Sequence, residues 1–401
     1  MHTILLPKRT VDVLRQFTMR PTRTQPELQS SLGISPPTAY RSVDQLRRLG
    51  VINDGAGLTP DGRGRPAMAI ALNPQGMCFF TLVIKSDDSR LYLMDALGQV
   101  RENISIPVIS TDRYEIALEQ YAVEINRLLH KVSQTFAVTA GIGVFFGGRV
   151  NTSMGTIGTP SRFPDWHNRP LAHDISQRTS LPCFIDNDTI SLTRASFWFS
   201  PKLQADSFAL LYMDFGLGTG FCINKEIYTG RNHVASGLGH TNLFGWSTEQ
   251  CRCGRIGCLE TVISIPAVIK QAQKLNIPMG KFEPVISTAT LIALEQQAQA
   301  GNSLMGAILE DVGQKAGILA ASLCQIFDLP AIVFAGGLID NSKIFMAALH
   351  KEMQRQSPTL TLPVSWWSVR DLFANDFPEA LGGAAVVLGG LYHSRVLTVL
   401  E

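Results

Sequence analysis

Two stretches of the chain share one pattern of strands and turns, and this repeat constrains the fold more than any other feature. Residues 78–100 read CFFTLVIKSDDSRLYLMDALGQV, and residues 207–230 read SFALLYMDFGLGTGFCINKEIYTG. Each stretch contains an apolar strand, a turn, a second strand and a further turn. The repeat predicts two similar α/β lobes with a cleft between them, as in two-lobed nucleotide-binding folds.

Strand-like segments alternate with amphipathic helices from residue 78 onward. The helix predicted over 114–135 is one of the intervening helices. The predicted strands cover residues 79–84, 91–94, 100–106, 138–146, 183–185, 208–214, 221–223 and 331–334. This mixture indicates an α/β protein.

The composition argues against a membrane span and against a disulfide framework. Of the 401 residues, 45% are apolar and 17% are charged, which is ordinary for a folded protein of two or three domains. The longest apolar run, at 380–391, contains four glycines and is too short for a membrane span. We therefore expect a cytoplasmic location without membrane insertion, where cysteines stay reduced. Seven cysteines, three of them clustered, point to a metal site.

The first 70 residues carry an excess of positive charge. They contain ten Lys and Arg residues against five Asp and Glu residues, so that segment is +5 in a chain whose net charge is +2. The rest of the chain is therefore −3. A basic head on a mildly acidic body is typical of a nucleic-acid-binding module attached to another domain.

The basic head also predicts three short helices. Apolar spacing places the first within 10–20, Thr24 and Glu27 cap the start of the second, Gly33 ends it, and Ser35 begins the third. Two short helices joined by a tight turn indicate a helix-turn-helix, whose second helix enters the major groove of double-stranded DNA. The candidate DNA contacts on that helix are Thr38, Tyr40, Arg41, Ser42 and Gln45.

Two strands after the third helix predict a wing. Segments 51–53 and 67–72 are strand-like, and the glycine-rich residues between them include Arg63 and Arg65. We expect both arginines to contact DNA from the tip of a hairpin. The three helices, the wing and the charge together predict a winged helix-turn-helix DNA-binding domain over residues 1–75.

Three cysteines and one histidine have the spacing of metal ligands. In chain order, with ten, one and four residues between them, they are His240, Cys251, Cys253 and Cys258. Four such donors suffice for a closed tetrahedral zinc site, which leaves no position for a substrate water. Gly254 and Gly257 permit the tight return of the chain between the last ligands. The spacing predicts a structural Zn²⁺ site, and the alternative is a group of reduced cysteines without metal.

The turns inside the two repeats differ in chemistry. The turn at 214–220 contains three glycines, which let backbone amides approach a phosphate or another ligand. The turn at 85–89 contains no glycine and places Asp87 and Asp88 in the corresponding position. The first turn is therefore unsuited to a phosphate group.

These motifs resemble the ROK family of repressors and sugar kinases, in its transcription-regulator branch. The most specific match is the cysteine cluster between His240 and Glu260; the others are Gly218-Thr219-Gly220, Asn187-Asp188, the Trp166 segment, Ala335-Gly336-Gly337 and the glycine-rich helix from Gly382. The resemblance covers essentially the whole chain. It implies a two-lobed actin-like sugar kinase fold after an N-terminal winged helix-turn-helix domain.

The resemblance also implies the arrangement of the domain over 76–401. Its two α/β lobes would include a zinc-binding segment at 240–260, with the four clustered residues as the zinc ligands, and a C-terminal helix that returns to the first lobe. Regulators of the family commonly act as dimers or tetramers, so a homodimer or homotetramer is expected.

A sugar site is a further implication of the resemblance. The candidate effector-binding residues are Gly148, Arg162, Asn187, Asp188, His240 and Glu260. In the family's kinases the aspartate corresponding to Asp188 is a general base, although a helix N-cap is the alternative role here. Sugar-binding members have a glutamate where this chain has Gly237, and they usually have an asparagine where it has Arg162.

The predicted pocket therefore loses an acceptor and gains a cation. Arg162 either recognises an anionic effector, such as a sugar phosphate or sugar acid, or pairs with Asp188 or Glu260 and closes a disused pocket. Both alternatives are open at the level of sequence.

The sequence as a whole predicts a DNA-binding regulator of carbohydrate-related genes, and not an enzyme. Repression relieved by a sugar or sugar-phosphate effector is the expected mode. The alternatives are a regulator gated by a protein partner and a sugar kinase with a vestigial head. Kinase activity is disfavoured because the family's first phosphate motif, Asp-x-Gly-x-Thr, is replaced at 85–89 by a glycine-free, acidic turn.

Overall fold

The chain divides into two compact units. In this computed structural model the first unit contains residues 1–201 and 375–401, and the second contains residues 202–374. The structure describes residues 1–55, 68–85, 89–107, 113–158, 163–203, 207–231, 235, 237–279, 286–356, 364–373 and 377–400. Within these residues, no helix combines the length and the hydropathy that crossing a membrane requires.

The N-terminal part of the first unit contains the three predicted helices. In chain order its elements are β1 (His2–Leu5), α1 (Lys8–Met19), β2 (Thr22–Thr24), α2 (Gln25–Leu32), α3 (Pro36–Arg48), β3 (Ile52–Asp54) and β4 (Ala69–Leu72). The predicted capping box of α2 is confirmed, since the backbone N–H of Thr24 donates to Glu27 Oε2 at 2.6 Å. Gly33 ends α2 with a φ of +59°, which glycine adopts without steric cost.

The three helices pack around a small apolar core beside a three-stranded sheet. Val13, Leu14 and Phe17 of α1 are fully buried, as are Val43 and Leu46 of α3. The sheet has the order β2-β4-β3, with antiparallel pairs. The sequence predicted β3 and β4 as the strands of the wing but missed β2. The wing arginines, Arg63 and Arg65, lie outside the described residues.

The rest of the first unit is built on a seven-stranded sheet. Its elements before residue 201 are β5 (Met77–Ile84), β6 (Ser89–Asp95), β7 (Val100–Ile106), α4 (Tyr114–Val132), β8 (Val138–Phe146), β9 (Val150–Asn151), β10 (Thr156–Ile157), a 3-10 turn (Pro164–Trp166), α5 (Leu171–Thr179), β11 (Cys183–Asn187) and α6 (Asp188–Phe199). Strands β5, β8 and β11 are parallel, with Ile84, Phe146 and Asn187 in register. Their carboxyl ends therefore share one edge of the sheet.

The second unit is built on a five-stranded sheet. Its elements are β12 (Phe208–Met213), β13 (Leu217–Ile223), β14 (Glu226–Tyr228), two 3-10 turns (Gly237–His240 and Leu259–Thr261), α7 (Ile265–Lys274), α8 (Thr288–Gln299), α9 (Ser303–Phe327), β15 (Ala331–Ala335), α10 (Gly337–Asn341), α11 (Lys343–Gln356), β16 (Ser365–Ser368) and α12 (Val369–Phe373). The 25-residue α9 supplies many of the core residues, among them Leu309, Val312 and Leu319.

The two sheets confirm the internal repeat predicted from the sequence. The first contains the strand order β7-β6-β5-β8 with β11 beside β8, and the second has the order β14-β13-β12-β15-β16. In each, three antiparallel strands are followed by two parallel ones. Both units therefore have the same α/β arrangement.

The C-terminal residues belong to the first unit. They form α13 (Pro378–Ser394) and β17 (Val396–Val399), and α13 packs on β5 and β8. The packing is close, since a Cβ at Gly383 would lie 2.0 Å from the Thr81 side chain. Strand β17 pairs with β8 on one side and with β1 on the other. Residues 2–5, which the sequence prediction placed in the DNA-binding domain, thus form an edge strand of the lobe sheet.

Candidate metal centre, effector residues and DNA-binding surface

The four predicted metal ligands lie together in the second unit. Their ligand atoms, from His240, Cys251, Cys253 and Cys258, are all within 4.8 Å of one another. His240 Nδ1 is 3.6 Å from Cys251 Sγ, and Cys253 Sγ is 3.6 Å from Cys258 Sγ. A tetrahedral zinc ion would separate a nitrogen from a sulfur by about 3.6 Å and two sulfurs by about 3.8 Å. The distances and the donor set therefore fit a four-coordinate metal ion.

The backbone between the ligands forms a tight return. The N–H of Cys251 donates to the carbonyl of Arg255 at 2.7 Å, and the N–H of Gly254 donates to the carbonyl of Cys251 at 2.8 Å. Gly254 and Gly257 have φ values of +86° and +80°, in the left-handed region that favours glycine. At Gly257 a Cβ would also lie 2.4 Å from the side-chain nitrogen of Asn242. Only glycine fits this position, as the spacing predicted.

A proton and a metal ion compete for each thiol sulfur of the cluster. Burial raises the pKa of Cys258 to about 12 in the absence of a metal. A bound metal ion replaces the thiol proton, so the ligand then acts as a thiolate. The cluster can hold a metal ion with four protein ligands, which is the arrangement of a structural site rather than of a catalytic one.

Glu260, a predicted effector contact, forms an ion pair with Arg252. Arg252 lies in the segment from Cys251 to Cys258, which is called the metal loop below. Arg252 Nε lies 2.8 Å from Glu260 Oε1, and an Arg252 terminal nitrogen donates to Oε2 at 2.8 Å. The backbone N–H of Leu217, in the glycine-rich turn, donates to Oε2 at 3.2 Å. The carboxylate side chain is only 9% exposed. The bidentate ion pair of Arg252 and Glu260, together with the hydrogen bond from Leu217, joins the metal loop to the glycine-rich turn at 214–220.

The sequence prediction missed Arg252. In the sequence, the one feature that pointed to a role for Arg252 in the site was its position between two predicted cysteine ligands. Gly216 explains why the pair fits, because a Cβ there would lie 2.7 Å from Glu260 Oε2. By contrast, a Cβ at Gly237 would meet no described atom within 4 Å, so the position where sugar-binding relatives carry a glutamate is open here.

The other effector candidates lie in the first unit, at the shared edge of β5, β8 and β11. Asn187 is the N-cap of α6: its side-chain oxygen accepts from Thr189 N–H at 3.0 Å, and its amide nitrogen donates to the Gly148 carbonyl at 2.9 Å. Asp188 is the first residue of α6 and not its N-cap. Its Oδ1 accepts from the Thr189 N–H at 2.7 Å. The N-cap role that the sequence offered as the alternative for Asp188 belongs to Asn187.

The Lys85 side chain lies at the same edge. Its ammonium group donates to Glu379 Oε1 of α13 at 2.7 Å, and both side chains are about a quarter exposed. A Cβ at Gly147 would lie 3.8 Å from Asp188 Oδ2 and 3.9 Å from Lys85 Cα, which puts the backbone of Lys85 beside the candidate effector residues. Arg162, Asp87 and Asp88 lie outside the described residues, so contacts of Arg162 stay a prediction.

The N-terminal half of α3 presents three of the predicted DNA contacts. Tyr40 is 57% exposed, Arg41 is exposed, and Thr38 is half-buried. Arg41 forms no ion pair with a described carboxylate; its Nε donates to the backbone carbonyl of Pro37 at 3.3 Å. At the other end of the helix, Arg48 pairs with Asp44. Arg47 pairs with Asp54, so Arg41 is the cation of α3 that has no ion-pair partner among the described carboxylates.

Two of the predicted DNA contacts have a different position. Ser42 is 3% exposed, on the inward face of α3 with Val43 and Leu46, so its side chain is not on the surface that the predicted DNA contact requires. Gln45 is half-buried, and its side-chain oxygen accepts a hydrogen bond from the Thr10 hydroxyl at 2.8 Å. The side-chain oxygen of Gln45 therefore connects α3 to α1. A contact of Gln45 with DNA would use its side-chain amide nitrogen instead.

Comparison with known proteins identifies the family. The sequence profile of the ROK family matches residues 86–387, about three quarters of the chain. The fold of two α/β units and the histidine–cysteine cluster agree with that match, and the chain belongs to the ROK family.

Curated relatives and a solved structure extend the likeness over the N-terminal region. The chain is 24% identical to the xylose repressor of Caldicellulosiruptor bescii, over 89% of this chain and 90% of that one. It is 23% identical to the DNA-binding transcriptional repressor Mlc of Escherichia coli, over 91% and 88%. The crystal structure of a ROK family transcriptional regulator, a homologue of E. coli Mlc, covers 96% of this chain and 97% of its own, with a TM-score of 0.75 and 21% identity.

Proposed function

We propose that this protein is a DNA-binding transcriptional repressor of carbohydrate-related genes, responsive to a sugar or sugar-derived effector. The observation that carries the proposal is the exposed N-terminal half of α3, with Arg41 unpaired among the described carboxylates, in a chain of the ROK family. The similarity to two named repressors extends over about nine tenths of the chain. The gene class and the direction of regulation come from these relatives.

The double-stranded DNA partner would be read by α3 in the major groove. Thr38, Tyr40 and Arg41 would contact bases or phosphates, and Arg63 and Arg65 would reach the duplex from the wing. A homodimer or homotetramer would place two such helices on half-sites about one turn of DNA apart, or a multiple of that. The operator would then be palindromic.

The metal of the cluster is proposed to be Zn²⁺ in a structural role. His240, Cys251, Cys253 and Cys258 would hold the ion, and their number leaves no open position for substrate. When bound, the metal would fix the loop that carries Arg252, and through Arg252 the position of Glu260. The residues of this loop would orient the effector site rather than carry out a reaction.

The test of DNA binding is selection from a random library of duplexes by the full-length protein. We expect enrichment of a palindromic sequence, and binding that weakens as salt rises because phosphate contacts release counterions. Recovery of no enriched sequence, with binding equal for all duplexes, would overturn the proposal.

The effector is tested by thermal shift with three classes of compound: neutral sugars, amino sugars, and the phosphates of both. Stabilisation by a compound that also releases the selected duplex identifies the effector class. Stabilisation by phosphorylated sugars alone would support the anionic-effector alternative for Arg162.

A second candidate is a repressor gated by a protein partner. The pairing of Glu260 with Arg252 favours it, because a sugar acceptor implied by the family is already occupied within the unit. In that case all three classes of sugar would leave both the melting temperature and the duplex affinity unchanged, while selection would still return an operator.

We expect no sugar kinase activity. Lys85 stands where the family's first phosphate motif begins, and its ammonium group is paired with Glu379. A screen for ATP-dependent phosphorylation of hexoses and amino sugars is the measurement. Sustained turnover would contradict the assignment as a regulator without enzymatic activity.

A further inference from the structure

The N-terminal helices are joined to the lobe sheet of the first unit at two points of the chain. At the first, β1 pairs with β17, and the N–H of Leu6 donates to the carbonyl of Arg395 at 2.8 Å just before α1 begins. At the second, the chain passes from β4 to β5, and the N–H of Val138 donates to the carbonyl of Gly76 at 3.2 Å. Two covalent crossings define an axis, about which a domain can rotate unless another contact prevents it.

A third contact is made by Tyr392, in the last turn of α13. Its hydroxyl lies 2.5 Å from the Thr18 hydroxyl of α1. The Arg15 guanidinium carbon, also on α1, is 5.6 Å from the centroid of the Tyr392 ring. On the lobe side, Trp198 of α6 meets the ring edge-on, with centroids 5.4 Å apart. The ring is thus held between the lobe and the first helix of the DNA-binding domain.

We propose that Tyr392 is a positioning residue that fixes the orientation of the DNA-binding domain on the first lobe. The contact is polar and small, with one hydroxyl pair and one cation over a ring, so it can be broken without unfolding either side. Burial raises the pKa of Tyr392 above its usual value, so the phenol is neutral at physiological pH and able to donate to Thr18.

Helix α13 connects this contact to the candidate effector residues. Tyr392 is near its end, whereas Glu379, in its first turn, accepts from the ammonium group of Lys85, whose Cα lies beside Gly147. The 17-residue helix spans about 25 Å. It cannot tilt freely, because Cβ atoms at Gly383 and Gly390 would lie 2.0 Å and 2.3 Å from Thr81 and Phe184. In the proposed link, a change at Glu379 would reach Tyr392 through a shift of this closely packed helix as a unit.

Helix α6 makes a parallel connection. It begins at Asp188 and carries Trp198 near its other end, and it packs along α13. Two helices that start at the effector edge therefore end around Tyr392. The regulatory part of the inference, that the state of the pair of Lys85 and Glu379 biases the Tyr392 contact, rests on the proposed function.

The experiment measures hydrogen exchange in the full-length protein together with affinity for the duplex selected from the random library. Tyr392→Ala is expected to raise deuterium uptake in residues 8–19 and to weaken duplex binding about tenfold, with the enriched sequence unchanged. Tyr392→Phe and Thr18→Val remove the hydroxyl pair only, and each should weaken binding about fivefold at most. His393→Ala, an exposed neighbour in the same turn, is the matched control and should match the wild type.

The distant end of α13 is tested with Glu379→Gln and Lys85→Met. Both should raise uptake in residues 8–19, which contact α13 at Tyr392, about 20 Å along the helix from Glu379. A purely local role of the ion pair would not have this effect. Glu102→Gln breaks another ion pair of the same unit, with Lys131, and should leave that peptide unchanged.

The possible failures are distinguishable. If no duplex is enriched, the proposed function fails, whatever the exchange data are. If a duplex is enriched but uptake in residues 8–19 and affinity are the same in Tyr392→Ala, Tyr392→Phe and the wild type, the positioning role of Tyr392 is wrong. If only the Glu379 and Lys85 variants match the wild type, Tyr392 positions the domain without a link to the effector edge.

Discussion

The polar side chains of α3 differ in whether they face the solvent or make contacts inside the protein. Tyr40 and Arg41 are exposed, Ser42 is buried, and Gln45 is bonded to Thr10. All four are polar, so residue type alone does not separate them. Ser42 lies three positions after Ala39 and four before Leu46, at the spacing of the inward face of α3. Gln45 is instead separated from the exposed pair by its hydrogen bond to α1.

Replacement of Arg41 is the most direct test at the residue scale. Arg41→Ala should weaken binding to the selected duplex by about tenfold to a hundredfold, as expected for a base contact worth about 1–3 kcal/mol. Arg48→Ala is the matched control, because Arg48 is equally cationic but is paired with Asp44 at the far end of α3. Equal losses for the two variants in a fluorescence anisotropy titration would show that Arg41 acts only through net charge.

Gly237 offers a test of the altered effector site. Gly237→Glu should fit without a clash, since a Cβ there meets no described atom within 4 Å. It restores the carboxylate that sugar-binding relatives have, so we expect neutral sugars to produce a new or larger thermal shift.

The control for that variant is Gly306→Glu, another glycine with open space, located on α9. Gly306→Glu should leave the sugar response as in the wild type. If Gly237→Glu behaves in the same way, the missing glutamate is not what limits sugar binding.

The metal loop is an element whose shape depends on four side chains rather than on a core. Its short backbone bonds and two left-handed glycines bring the ligands together, but the loop contains little buried apolar surface of its own. A small loop of this kind usually needs a metal for stability.

Loss of a ligand should therefore remove the metal and loosen the loop. Cys258→Ala is expected to reduce bound zinc from about one ion per chain to a small fraction, and to raise protease sensitivity within 240–260. Elemental analysis and limited proteolysis are the measurements. Cys324→Ala also removes a buried cysteine but lies on α9 outside the cluster, so it should retain full zinc content. Undiminished zinc in Cys258→Ala would contradict the site.

The capping box of α2 is an element-scale feature that the sequence alone defined. Thr24→Ala should lower the free energy of opening of α2 by about 1 kcal/mol at neutral pH, measured by hydrogen exchange in residues 25–32. Ser31→Ala, on the exposed end of the same helix, should cause no such loss.

The capping box also has a pH dependence of known sign. The hydrogen bond from the Thr24 backbone lowers the pKa of Glu27 below its ordinary value of 4.5. The ionised carboxylate therefore stabilises α2 fully above pH 4.5, and this contribution is lost as the pH falls through the lower folded-state pKa. The difference between wild type and Glu27→Gln should shrink over that range and should be constant between pH 6 and pH 8.

On the scale of the whole molecule, the N-terminus and the C-terminus meet in one sheet. Strand β1 precedes α1, and β17 follows α13, yet the two pair over four residues. The three N-terminal helices are therefore not attached to the lobe sheet by a single linker. They are attached through β1 on one side and through β5 on the other.

Removal of residues 2–5 tests this attachment. The truncated protein loses the β1 strand, which releases one of the two crossings. Its affinity for the selected duplex should therefore fall by up to about tenfold. Its zinc content should not change, since the metal loop belongs to the second unit. Full duplex affinity in the truncated protein would show that pairing of β1 with β17 does not position the helices.

The sequence by itself determined the features that depend on short-range chemistry. Four features follow from residue type and spacing within about twenty positions: the cluster of candidate metal ligands, the left-handed glycines at 254 and 257, the capping box of α2 and the repeated strand-turn-strand pattern. Hydrogen-bonding capacity, backbone freedom and hydrophobic periodicity are local properties, so a sequence displays them directly.

Only the tertiary structure decided which polar residues are used inside the protein. The pair of Lys85 and Glu379 is separated by 294 positions, and that of Thr18 and Tyr392 by 374. The pairing of β1 with β17 also joins elements that are far apart in the chain. A side chain's partner is set by the packing of whole helices and sheets, and no local pattern encodes that distance.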